Sequence, residues 1–253
     1  MNADFSKIFH RSSQDHRKGH QPIAVNPDEW PPEWRTTYYK SYPRLPKIAL
    51  NGTLSFVTAP NMGEHSDFFQ LVRERKSQRN FKRDPISLKE LSMLLQYSCG
   101  TTGLLEDGRH RRAQPSGGGR FPIEVCPIVF RGSDIPAGLY HYNVKEHALD
   151  ALWAREFSDT DINQLFTYEW VRNAAAVFIM TAVFSRNQHK YGERGYRYVL
   201  LEAGHIGQNV YLAAEALGLK CCALAGTRDE ALERLIDIDG ITESVVYAVA
   251  IGR

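Results

Sequence analysis

Five short segments of this 253-residue chain carry residue types that could bind or react. In Arg75-Lys76-Ser77-Gln78-Arg79, the residues Arg75, Ser77 and Arg79 stand two apart. In an extended segment that spacing turns them the same way. Two guanidinium groups and a hydroxyl on one side would cradle a phosphate, because Arg forks onto phosphate oxygens. A solvated, basic helix end would look the same. In Pro115-Ser116-Gly117-Gly118-Gly119-Arg120-Phe121-Pro122, three glycines would let backbone approach a flat ligand and expose its N–H groups, with Ser116 adding a hydroxyl. A flexible turn is the plainer alternative. Lys190-Tyr191 places an amine beside a phenol at the expected entrance of a long helix. A desolvated lysine loses pKa, and a tyrosine can share its proton, so the two could form an acid–base pair. An exposed lysine beside a packed tyrosine is the competing reading. Gly226, after an expected strand, could offer its N–H to a ligand. Arg253 closes the chain, a position more often occupied by an untethered tail.

The elements that must hold these residues can be traced from the pattern. Residues 1–63 hold seven of the twelve prolines, and Trp30, Trp34, Tyr38, Tyr39 and Tyr42. Proline at this density blocks long helices, and the aromatics argue against full disorder. An extended arm is expected, packing on its own core or a neighbour's. The regular pattern of a second region, 64–253, begins with Ser66 capping a helix through Arg75, with Phe68, Leu71 and Val72 on one face. Ser87-Leu88-Lys89-Glu90 reads as a capping box for a helix ending near Gly100. Strands are expected over 124–130, 138–142, 148–153, 175–184, 221–225 and 244–251, with helices over 159–166, 193–217 and 229–235. The helix at 193–217 is apolar on more than one face and should be central, with a subunit contact as one way to cover its second face. Within it Gly204 and Gly207 suggest close packing, and His205 reads as an interior histidine. The class is α+β: a mostly antiparallel sheet surrounded by helices, without strict βαβ alternation.

Composition excludes several functions. The net charge of +2 and a longest basic run of four residues, Arg109 to Arg112, give no footprint for nucleic acid. Cys99, Cys126, Cys221 and Cys222 form no C-x-x-C pair, so neither a zinc ribbon nor a disulfide framework is indicated and no metal site is expected. The polar N-terminus and an apolar run of only Ala174 to Phe184 predict a cytoplasmic protein without a membrane span. No G-x-x-x-x-G-K-[ST] or G-x-G-x-x-G fingerprint occurs, so a Rossmann dinucleotide site has no support.

Four segments in order, R-x-S-x-R at 75–79, P-S-G-G-G-R-F-P at 115–122, K-Y-G-x-R-x-Y-R-Y at 190–198 and L-E-A-G-H-x-x-Q-N at 201–209, resemble the SagB-type branch of the nitroreductase superfamily over about Ser66 to Arg253. The resemblance implies an intertwined homodimer with FMN in clefts at its interface. Arg75, Ser77 and Arg79 would then hold the phosphate and ribityl. Pro115, Ser116 and Gly117 would line the isoalloxazine, Gly226 would sit on its other side, and Arg253 would return to the phosphate. Lys190 and Tyr191 match the branch's catalytic Lys-Tyr pair. The implied reaction oxidises a thiazoline or oxazoline in a ribosomal peptide to the azole, with a cyclodehydratase as possible partner and oxygen as re-oxidant. An NAD(P)H-dependent nitro- or flavin reductase and a non-catalytic scaffold in a biosynthetic complex are the alternatives. The arm at 1–63 is less typical of the branch.

Overall fold

The computed structural model describes residues 9, 39–50, 68–106 and 108–253. Trp30, Trp34, Tyr38 and the expected Ser66 cap lie outside the described residues. In chain order the elements are β1 (Lys47–Ala49), α1 (Phe68–Glu74), α2 (Leu88–Cys99), β2 (Thr101–Leu104), β3 (His110–Arg112), β4 (Ile123–Val129), β5 (Gly138–Asn143), β6 (Ala148–Ala154), α3 (Asp159–Leu165), β7 (Ala176–Val183), α4 (Ser185–Tyr191), α5 (Gly195–Ala216), β8 (Lys220–Leu224), α6 (Asp229–Ile236) and β9 (Glu243–Gly252). Seven strands form one sheet in the order β1-β6-β5-β4-β7-β9-β8, with every pairing antiparallel.

β7 shows why the sheet is central. Its sequence is apolar at nearly every position because both faces are covered. With a period of two, Ala176, Phe178, Met180 and Ala182 join the core under α2 and α5, while Val177 and Ile179 join the core under α3 and α6. α2 starts at the capping box expected of Ser87: its hydroxyl accepts from Glu90 N, and the Glu90 carboxylate accepts from Ser87 N. Its Leu91, Leu94 and Leu95 are fully buried, each contributing roughly 1.5–3 kcal/mol. α5 sets Val199, Ala203, Ile206, Val210 and Ala214 on the same core. Gly207 is required there, since a Cβ would come 2.6 Å from the Tyr247 ring on β9.

Several expectations need correction. The helix expected over 193–217 is α5, at Gly195–Ala216, but an unexpected short helix, α4, precedes it across a tight turn. Gly192, at φ 56°, breaks the run. Lys190 and Tyr191 therefore end a short helix instead of entering a long one. His205 is exposed, not interior, and Gly204 meets nothing within 4 Å of a Cβ position. Strand β1 and the β2–β3 hairpin had no counterpart in the pattern. The described part of the arm packs on its own chain: β1 extends the sheet beside β6, Leu50 is buried, and Tyr42 meets the edge of His141 at 5.2 Å. The four cysteines are free and buried, as read. Among the described residues no helix is long and apolar enough to cross a membrane.

Candidate functional site

The Gly-rich segment folds as a single tight turn between the hairpin and β4. Gly118 and Gly119 take φ of 67° and 64°, a region closed to most side chains, which explains two of the three glycines. Ser116 turns inward: its Oγ accepts from Phe121 N at 2.8 Å and faces Glu202. The hydroxyl thus braces the loop.

α4 delivers the Lys-Tyr pair to this loop. A Cβ on Gly118 would lie 2.5 Å from Tyr191 Oη and 3.3 Å from Lys190 Nζ. Gly117 borders Tyr198 of α5 and the buried Asn187 amide, whose nitrogen and oxygen find no hydrogen-bond partner among the described residues. Tyr198 also meets the Tyr191 ring edge-on at 5.0 Å. Burial, then the charges of Arg120 and Arg109, hold the Lys190 amine below the usual lysine range. Burial, with Tyr198 nearby, raises the Tyr191 phenol. Burial thus favours the neutral form of both groups. A cavity of about 380 Å³ opens beside the loop, bordered by Arg109, His110, Arg112, Ser116, Gly119 and Phe121.

The second group of expected residues gathers elsewhere. After α1 the chain runs extended beside the sheet, with Gln78 N donating to Cys221 O and Lys82 N to Arg253 O. Ser77 Oγ lies 2.8 Å from Tyr211 Oη, and the Arg75 guanidinium stands 5.2 Å over the Tyr211 ring. Arg79 turns instead to Trp170, 6.0 Å from its ring. Neither Arg75 nor Arg79 pairs with a carboxylate among the described residues. Arg253 is tethered: its guanidinium pairs with Glu90. Gly226 is explained by its own chain, since a Cβ would come 2.1 Å from Thr167 Oγ1 and 2.5 Å from the Tyr168 ring.

The two groups lie at opposite ends of α5. Tyr198 marks the Gly-rich loop and Tyr211 the Arg75–Ser77 segment, thirteen residues apart, about 20 Å along the helix axis.

Sequence reasoning missed Glu202, which is buried beneath the Gly-rich loop and accepts from Gln114 Nε2 at 3.3 Å. Burial outweighs the hydrogen bonds of Ser116 and Gln114 and raises its pKa to about 7. It also gave no separate role to Arg120, within the Gly-rich segment, or to Arg186 in α4. For Glu202 and Arg186, a charged residue on the inner stripe of a helix was the available signal.

The Nitroreductase family profile matches residues 72–253. The chain belongs to the nitroreductase family. A Methanocaldococcus jannaschii protein named for the nitroreductases is 32% identical over 169 residues, covering 65% of this chain and 81% of that one. The trifolitoxin-processing protein TfxB of Rhizobium leguminosarum bv. trifolii is 34% identical over 182 residues, covering 66% of this chain. The microcin B17-processing protein McbC of Escherichia coli is 28% identical over 168 residues, covering 62%. The matched stretch spans only 48% and 58% of those two processing proteins. The E. coli microcin synthetase McbBCD complex with truncated pro-MccB17 bound contains a similarly folded chain, with a TM-score of 0.62, 19% identity, and coverage of 98% of this chain and 91% of that one. The nitroreductase fold expected from the four motifs is therefore the fold observed, a mostly antiparallel sheet with helices on both faces.

Proposed function

We propose that this chain is an FMN-dependent dehydrogenase of the SagB type, oxidising thiazoline or oxazoline rings of a ribosomally made peptide to thiazoles or oxazoles. The observation that carries this reading is the convergence of Lys190 and Tyr191 on Gly118 of the Gly-rich loop. The kinship with two peptide-processing proteins supports the substrate class.

The residues fit a flavin mononucleotide. Arg75 and Arg79 offer guanidinium groups that pair with no carboxylate among the described residues, Ser77 offers a hydroxyl, and the glycines at 117–119 allow a flat ring a close approach to the backbone. Because the two groups stand at opposite ends of α5, the reading includes a homodimer with FMN at its interface. An antiparallel pairing of two α5 helices would bring the Arg75–Arg79 segment of one copy beside the Gly-rich loop of the other. Leu200 and Leu201, 41% and 60% exposed, and the open flank at Gly204 support such a seam. FMN, when bound, supplies the acceptor for the hydride that leaves Cβ of the azoline. Lys190, its amine held toward the neutral form, takes the Cα proton. Tyr191, held protonated, hydrogen-bonds to the ring heteroatom or passes the proton on. A cyclodehydratase partner belongs to the same proposal, by analogy with the McbBCD complex.

The test is direct. The purified protein should be yellow, release FMN on denaturation, and remove two hydrogens from a synthetic thiazoline peptide. A colourless protein that cannot be reconstituted with FMN overturns the reading in favour of a scaffold. Rapid bleaching by NADPH without peptide oxidation would favour the reductase, the reading suggested by the M. jannaschii relative's name.

A further inference from the structure

Three neighbouring strands carry buried ionisable side chains that meet one another: Glu124 in β4, His141 in β5 and Asp150 in β6. Their side chains join across the sheet. His141 Nε2 lies 2.9 Å from Glu124 Oε2, and His141 Nδ1 lies 3.4 Å from Asp150 Oδ2. The other Glu124 oxygen lies 2.6 Å from Arg186 Nη1. Burying charges carries a desolvation cost, and well-packed apolar residues of similar volume often hold a core as well or better. Stability alone is therefore a weak reason for this chain of charges.

Its far end supplies a better one. Arg186 stands in the first turn of α4, and Lys190 follows at i+4, on the same face. The same Arg186 nitrogen donates to Phe121 O at 2.8 Å, and the Arg186 carbonyl accepts from Arg120 Nε at 2.9 Å. Arg120 and Phe121 directly follow the Gly-rich loop, and Phe121 is held at φ 48°, an uncommon backbone conformation for a bulky residue. One buried residue thus ties together the helix that bears the Lys-Tyr pair and the loop that faces it.

We propose that Glu124 and His141 are positioning residues, which clamp Arg186 and through it seat Lys190, Tyr191 and Arg120 against the Gly-rich loop. The inference rests on the reading of Lys190 as the base. The groups facing His141 are Glu124 and Asp150 from the sheet and, from the arm, the ring of Tyr42 and the charge of Lys40. Burial and Lys40 oppose protonation of His141, but hydrogen bonds to Asp150 and Glu124 prevail and raise its pKa. Burial pushes Glu124 upward, yet the His141 hydrogen bond and the Arg186 charge bring it down to about 2. Arg120 in turn depresses the Lys190 amine, so a loosened Arg186 should let that amine titrate higher.

The experiment follows the pH dependence of Lys190 acetylation by acetic anhydride, read by mass spectrometry on the purified full chain, with bound flavin and thiazoline-peptide turnover measured alongside. Glu124→Gln should move the Lys190 titration up by about one pH unit and lower kcat about tenfold, with KM and flavin content unchanged. Glu124→Asp, which keeps the charge, should restore much of the wild-type profile. Glu124→Leu/Arg186→Met, in which apolar groups replace the ion pair, guards against a simple folding defect. A folded double variant with the wild-type Lys190 titration and turnover overturns the proposal. If the double variant does not fold, the same result in Glu124→Gln overturns it. Full turnover in Lys190→Ala would sink the base reading, while the acetylation profile would still decide whether the clamp seats the amine.

Discussion

Gly118→Ala tests whether the Gly-rich loop and the Lys-Tyr pair form one site. Two separate effects are expected. The backbone at φ 67° costs a non-glycine residue about 1–2 kcal/mol. In a chain of this size that is a fall in Tm of roughly 2–8 °C. The new Cβ would also lie 2.5 Å from Tyr191 Oη, so the phenol must retreat by about 1 Å to reach ordinary contact. Tyr191 is the end of a flexible side chain, so the retreat adds little to the stability cost. It does displace a proposed acid–base group, and a misplacement of that size can cost on the order of a hundredfold in turnover. Gly218→Ala is the control: φ is 64°, and nothing lies within 4 Å of the new Cβ. Thermal melts should show similar losses for both variants, whereas thiazoline-peptide oxidation should fail only in Gly118→Ala. Wild-type turnover in a Gly118→Ala protein with the expected fall in Tm would refute the juxtaposition of loop and pair.

The remaining predictions concern separate groups. Lys190→Ala and Tyr191→Phe should each retain FMN and lose at least about a hundredfold in peptide oxidation, measured by mass loss of the peptide. Arg75→Ala and Arg79→Ala should purify with little bound flavin, read from the visible absorbance of the purified protein. Glu202, with its pKa raised by burial to about 7, is destabilising where it is ionised, so its cost grows from pH ~4.5 to about 7 and then levels off. Glu202→Gln should therefore raise stability by up to ~3 kcal/mol at pH 8 and change it little at pH 4, as measured by urea unfolding at both values. Gly207→Ala should destabilise by about 1–3 kcal/mol, because its Cβ would stand 2.6 Å from the Tyr247 ring in a packed interface; a Tm unchanged from wild type would show that the ring yields freely.

Much of this molecule was legible in its sequence. The capping box at Ser87, the continuous apolar run of β7 and the broad apolar surface of α5 each specify a local structure, because capping groups and hydrophobic period act between near neighbours. The residue types at 75–79, 115–122 and 190–191 were enough to name the candidate site. Their arrangement was not. That Lys190 and Tyr191 end α4 and face Gly118, across some seventy residues of chain, follows from where Arg186 is anchored to β4. That Arg75 and Ser77 meet Tyr211, at the far end of α5 from the Gly-rich loop, follows from how the segment after α1 lies along β8. Glu124, His141 and Asp150 lie in three different strands, and no local pattern connects them. Strand order and register turned them into one connected chain, because pairing of β4 with β5 and of β5 with β6 is set by the whole sheet and not by any one strand's sequence.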